Sequence, residues 1–158
     1  MAETAPRSRV SAGILLYRRV PDGVEVLLGP DVSIHCYGRI VAEGTEENRI
    51  VFRAQEGGPW DKIDCFGGKA SEDGEVQPDV FRNCIIEGGR GLKARDTEIH
   101  VESCTLRNMV DTPISLEFSS GRIVRNKIYD NSTELEDTSG NGGGMVVYSD
   151  REVIVEGN

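Results

Sequence analysis

Apolar and polar residues alternate in short runs along this chain. From residue 20 the period is two: Val24, Val26 and Leu28, then Val32 and Ile34, then Ile40 and Ala42, then Ile50, Phe52 and Ala54. Turn formers close each run, namely Gly29-Pro30, Tyr37-Gly38, and Gly44 with the polar turn TEEN (45–48). Alternation broken by Gly, Pro and Asn predicts four short strands over residues 20–54. An earlier run, SAGILLYR (11–18), predicts another strand, separated from the next by the turn PDG (21–23). Residues 1–10 are polar and read as a disordered start. No window holds the sustained i, i+3, i+4, i+7 apolar pattern of an amphipathic helix.

Further on, the pattern repeats itself. VFRNCIIEGG (80–89), HVESCTLRNM (100–109) and IVRNKIYDN (123–131) can be laid over one another. Asn83, Ser103 and Asn126 then share a column, followed by Cys84, Cys104 and Lys127, and two places on by Ile86, Leu106 and Tyr129. A self-similar unit of about 20–25 residues marks a stack of coils. A second alignment joins Ile63-Asp64-Cys65-Phe66, Leu92-Lys93-Ala94-Arg95, Ile114-Ser115-Leu116-Glu117 and Met145-Val146-Val147-Tyr148. Each follows a turn former: Gly58-Pro59, Gly91, Pro113, or Gly142 to Gly144. Insertions at 67–79 and 131–144, rich in Gly, Ser and acids, read as surface loops.

Each unit is thus one strand of the Ile-x-Cys type, a corner, and two strands flanking an Asn. Three short strands per coil, stacked about 4.8 Å apart, predict an all-β right-handed parallel β-helix of about five to six coils. This solenoid is expected to be one domain over residues 11–158. Its interior would be columns of equivalent residues, Ile63, Leu92, Ile114 and Met145 beside Cys65, Ala94, Leu116 and Val147. Parallel strands need covered faces, and each coil covers itself. Asn at a corner suits left-handed backbone geometry. The closing phrase VIVEGN (153–158) begins another unit, so the expectation is a chain truncated there. Its last coil would offer strand edges for edge-to-edge self-association, while the 11–18 strand caps the other end.

The order VPDGVEVLLGPDVSI, GRIVAEGTEENRIVF, WDKIDCF, and then the strand-Asn-strand-Gly units, resembles the right-handed parallel β-helix, pectate-lyase-like family over residues 20–158. The resemblance implies polysaccharide as the partner, bound or cleaved, and a secreted or cell-surface location. In that family a cleft between long loops on one sheet takes the polysaccharide. Acidic groups there hold calcium, and a basic side chain takes a proton beside the uronate carboxylate. The start of the chain, SAGILLYRR followed by GVEVLLGP, is similar to the opening strands of Nudix hydrolases. The Glu-rich box that holds metal on pyrophosphate in that family is missing, since Arg151-Glu152 has no Glu-Glu after it. Nudix activity is therefore not expected.

If the Ile63 column points inward, two outward rows follow: Asp64, Lys93, Ser115, Val146, and Phe66, Arg95, Glu117, Tyr148. Asp64, Lys93, Arg95, Glu117 and Tyr148 are the candidate substrate-binding residues. Lys93 and Arg95 are the catalytic candidates as base, with Asp64 and Glu117 able to hold metal. A plainer reading makes Asp64/Lys93 and Arg95/Glu117 cross-strand charge pairs, each worth about 0.2–1 kcal/mol. Glu134, Glu136 and Asp137 are candidates for binding Ca²⁺ in the second insertion; no other cofactor is expected. His35 and His100 have no Ser or Cys motif beside them and read as packing or surface residues. Trp60 and Tyr148 are suited to stack on sugar rings, although Trp60 reads more simply as packing against the first coils.

Composition narrows the partners. Hydrophobic residues make up 37% of 158, low for a compact globule but suited to a narrow core column. The formal charge of −9 argues against nucleic acid or an anionic membrane surface. No run approaches the 18 apolar residues of a membrane-spanning helix. The apolar run from Gly13 to Tyr17 is too short for a signal-peptide core. Four cysteines without a CxxC pair argue against a zinc site. Cys84 and Cys104 stack with parallel side chains, which leaves Cβ atoms near 5 Å apart, beyond disulfide reach, so reduced thiols are expected. The favoured reading is a β-helix module associated with polysaccharide. A polysaccharide lyase or hydrolase, and a structural or adhesive surface repeat, are the alternatives.

Overall fold

A computed structural model describes residues 15–67, 77–131 and 143–158. The described residues form strands and no helix. β1 (Leu15–Val20) and β2 (Gly23–Leu28) make an antiparallel hairpin over the PDG turn. From β2 the strands run in threes. The first coil is β2, β3 (Ile34–Cys36) and β4 (Val41–Glu43). The second is β5 (Arg49–Ala54), β6 (Ile63–Phe66) and β7 (Asp79–Arg82). β8 (Cys84–Glu87), β9 (Leu92–Arg95) and β10 (Glu98–Glu102) form the third. β11 (Thr105–Arg107), β12 (Ile114–Glu117) and β13 (Ser120–Val124) form the fourth. β14 (Lys127–Tyr129), β15 (Met145–Tyr148) and β16 (Val153–Glu156) form the fifth.

Equivalent strands pair into three sheets. The first is β1-β2-β5-β8-β11-β14, the second β3-β6-β9-β12-β15, and the third β4-β7-β10-β13-β16. Every pairing after the opening hairpin is parallel. The architecture is therefore all-β and β-helix-like, with three strands per turn. Residues 11–14 of the strand expected at 11–18, and most of both insertions, lie outside the described residues.

The core is the set of inward columns. Ile63, Leu92, Ile114 and Met145 stand opposite one another, as do Cys65, Ala94, Leu116 and Val147, but Val147, expected inside, is 43% exposed because no described coil covers the last one. Ile34 and Cys36 extend both columns by one coil. Trp60 is fully buried, bridges Gly89, and donates its indole N–H to the Glu87 carbonyl at 2.9 Å. Gly89 is required there, because a Cβ would lie inside the Trp60 ring. Trp60 thus packs the interior and is not a surface ring. All four cysteines are free thiols. They form two in-register steps, Cys36 on Cys65 and Cys84 on Cys104. Burial pushes the Cys65 thiol up.

The third repeat is one residue out of the alignment expected from residue types. Thr105 pairs with Lys127 and Leu106 with Ile128, which places Asn126 opposite Cys104 and leaves Tyr129 on the outside with Arg107. The left-handed corner is taken by Asn83, Ser103, Arg125 and Gly157, with φ of 50, 53, 55 and 63°. Asn126 sits one place further on and points inward, 2% exposed. Its Oδ1 accepts the Cys104 N–H and its Nδ2 donates to the Val101 carbonyl, both at 2.9 Å. Asn158 repeats the pattern, accepting the Asn126 N–H at 2.9 Å and donating to the Ile123 carbonyl at 2.7 Å. The Cys104 thiol does the same more weakly, with the Cys84 N–H and the Phe81 carbonyl, both at 3.4 Å. Backbone groups that a corner would otherwise orphan inside the stack are satisfied by this ladder.

Candidate functional site

The outer faces of the first and third sheets carry charge ladders, and the third also holds a pocket of about 340 Å³ whose lining includes Glu98, His100, Arg122 and Glu152. On the third sheet Arg82 lies between Glu43 at 2.9 Å and Glu102 at 3.2 Å, and Arg122 reaches Glu102 at 3.7 Å. On the first sheet Arg18 and Arg53 meet Glu25 at 2.6 and 3.2 Å. Arg53 and Arg107 meet Glu87 at 3.2 and 2.8 Å. Opposite charges one coil apart are the cross-strand pairs expected of a solvated face.

The second sheet differs. Its outward positions form two rows. One is His35, Asp64, Lys93, Ser115 and Val146; the other continues Phe66, Arg95, Glu117 and Tyr148. Tyr37 extends the second row, its ring stacked on Phe66 with centroids 4.9 Å apart and planes within 11°. The Arg95 guanidinium sits 5.7 Å from the Phe66 centroid. Arg95 also reaches Glu117 at 3.7 Å, the pair expected from alternation. Tyr148 is 67% exposed and meets Phe118 edge to face at 5.3 Å. Four coil-to-coil steps of about 4.8 Å make this row roughly 19 Å long. A pocket of about 370 Å³ adjoins its end, lined by Phe118, Val147, Tyr148, Ser149 and Asp150.

Asp64 departs from the expected solvated pair. It points outward by alternation, yet is 1% exposed. Its Oδ1 accepts no hydrogen bond, with Arg95 Nε 3.6 Å away, and Lys62 Nζ lies 3.9 Å from Oδ2. Lys93, its partner in register, turns instead to Asp111 at 3.7 Å. Burial raises the Asp64 carboxyl above its ordinary range, against the opposing pull of Arg95, Lys62, His35 and Lys93. An acid held this way can carry a proton where a surface carboxylate does not.

The structure therefore brings Asp64, Lys93, Arg95, Glu117 and Tyr148 onto one face. Glu134, Glu136 and Asp137 lie outside the described residues. Among the described residues no group of three His, Cys, Asp or Glu is placed to hold a metal ion. His35 belongs to the face, whereas His100 sits on the third sheet, 2.9 Å from Glu98. Tyr37 and Phe118 were not found by alternation. Tyr37-Gly38 carries a turn signal, and Phe118 occupies a corner rather than a strand.

No family model, no curated protein and no solved structure matches this chain. Its likeness to β-helical proteins rests on the repeat and on the three parallel sheets.

Proposed function

We propose that this chain is a right-handed parallel β-helix module of pectate-lyase-like build that binds polysaccharide along the outer face of its second sheet. The observation that carries this is the row Tyr37, Phe66, Arg95, Glu117, Tyr148, with exposed aromatic rings at both ends. Aromatic rings offer an apolar face and a polar tip, which suits the ring faces and hydroxyl rims of sugars. The row follows the stack axis, so an extended polymer can lie along it, as one strand per coil repeats the same outward position. Among the described residues the other two faces carry arginine–glutamate ladders, and the one exposed large ring there is Tyr129 on the first sheet. A module of this kind acts where polysaccharide is found, at the cell surface or outside it.

Affinity electrophoresis through gels holding polysaccharide tests the reading. Wild-type protein is expected to be retarded, and Tyr37→Ala and Tyr148→Ala are each expected to lose several-fold to about tenfold, the loss of about 0.5–1.5 kcal/mol per stacked ring. Arg82→Ala, on the third sheet, is expected to migrate as wild type. Equal retardation of all three variants would place the binding elsewhere.

One observation favours a catalytic alternative on the same face. Asp64 is buried with an unbonded oxygen and a raised carboxyl, beside Lys93 and Arg95. A lyase would use Lys93 or Arg95 as base, and a hydrolase would use an acid there. Release of unsaturated uronide or of new reducing ends, assayed with and without calcium, separates turnover from binding.

A further inference from the structure

We propose that the polysaccharide taken by this face is an uncharged one, recognised through ring faces and hydroxyl pairs and not through acidic groups. This rests on the binding reading above and names its ligand class.

Most charges on and beside the second-sheet face are engaged with one another. Arg39, exposed two places past Tyr37, donates to the Pro78 carbonyl and forms no ion pair among the described residues. Four further cations lie on the face or its other flank: Lys62, Arg90, Lys93 and Arg95. Each has a carboxylate within 4 Å. Lys62 and Arg90 lie 3.8 Å from Asp61, Lys93 3.7 Å from Asp111, and Arg95 3.6 and 3.7 Å from Asp64 and Glu117. A uronate arriving here would find no unpaired cation among these four. It would have to displace a protein carboxylate, or sit beside four of them, and like charges brought together cost several kcal/mol.

The wider field points the same way. The chain carries a formal charge of −9. A polyanion is repelled over a Debye length of about 8–10 Å before it makes contact.

What the face does offer suits a neutral sugar. Tyr37 and Tyr148 are 65% and 67% exposed, and stacking on them needs no charge. Glu117 is half-exposed in the row, and Asp150 lines the pocket beside Tyr148. An ionised carboxylate only accepts hydrogen bonds, through two oxygens, and so matches a pair of neighbouring hydroxyl donors.

The test compares polygalacturonate with the same polymer fully methyl-esterified, and with a neutral β-glucan, at low and at high salt. The neutral and esterified polymers are expected to bind at least about tenfold more tightly than polygalacturonate, with little change on adding salt. Tighter binding of polygalacturonate that weakens with salt overturns the inference while leaving the face a polysaccharide site. Binding to none of the three removes the underlying reading as well. A gain-of-binding variant makes the argument positive. Asp111→Asn keeps an acceptor for the Thr112 N–H, which Asp111 binds at 2.7 Å, but releases Lys93 from its partner. It is expected to gain several-fold for polygalacturonate; no gain means that Asp111 is not what withholds Lys93 from acids, and overturns the charge argument.

Discussion

Asp64 shows what one residue can conceal from a sequence. Alternation places it on an outer face, where a carboxylate is ordinarily solvated. In the fold it is sealed from water, and its carboxyl titrates above the ordinary 3.8, because burial outweighs the nearby cations. The protonated form is the one the fold favours. Its contribution to stability is whole below the unfolded value and is lost as pH rises through the higher folded one. Asp64→Asn is therefore expected to melt higher than wild type at neutral pH, with the gap closing as pH falls through the raised folded value and gone once pH is below 3.8. Melting curves across that range check it, and the comparison isolates Asp64 from Asp79, a core carboxyl also raised by burial. Phe118 is the second such residue. It holds φ of 47° at the corner that Gly67 and Asp96 occupy in earlier coils. A left-handed conformation costs a bulky residue about 1–2 kcal/mol, and strain of this kind gathers at functional sites. Phe118→Asn is expected to stabilise the fold by about 1 kcal/mol in urea unfolding and to weaken polysaccharide binding. The outward set was legible because alternation needs only the strand. Asp64's burial was not, because Lys62 and the corner residues that crowd it belong to no repeat.

At the scale of the element, the strands were legible and one register was not. The inward columns Ile63, Leu92, Ile114 and Cys65, Ala94, Leu116 follow from apolar spacing alone. Matching by residue type put Asn126 beside Asn83, one place from its true position. The reason is that a corner needs only a tolerated left-handed backbone, which Arg125 supplies, while the position after it needs a side chain able to bond the coil before. Asn126 meets that need with two bonds of 2.9 Å inside the stack. Asn126→Leu leaves the buried Cys104 N–H without its partner and removes the side-chain bond to the Val101 carbonyl, the orphaned donor costing about 1–3 kcal/mol and the lost bond about 1 kcal/mol. A loss of roughly 2–4 kcal/mol in urea unfolding is expected. Asn126→Cys, which copies Cys104 and Cys84, should lose less than Asn126→Leu. Equal losses would show that the ladder is ordinary packing.

For the whole molecule, the proposed function rests on the difference between the three faces. Arginine–glutamate ladders finish two of them. The second-sheet face instead carries stacked rings, a buried acid and cations held by carboxylates borrowed from the corners. The repeat announced the three-strand turn, since every coil writes the same pattern. It did not announce which face would stay open, because Asp61, Asp111 and Tyr37 come from connections between strands. Backbone amide shifts recorded while a neutral oligosaccharide is added provide the most direct check. Shifts confined to β3, β6, β9, β12 and β15 and the residues bordering them are predicted; shifts centred on the first or third sheet would contradict the account.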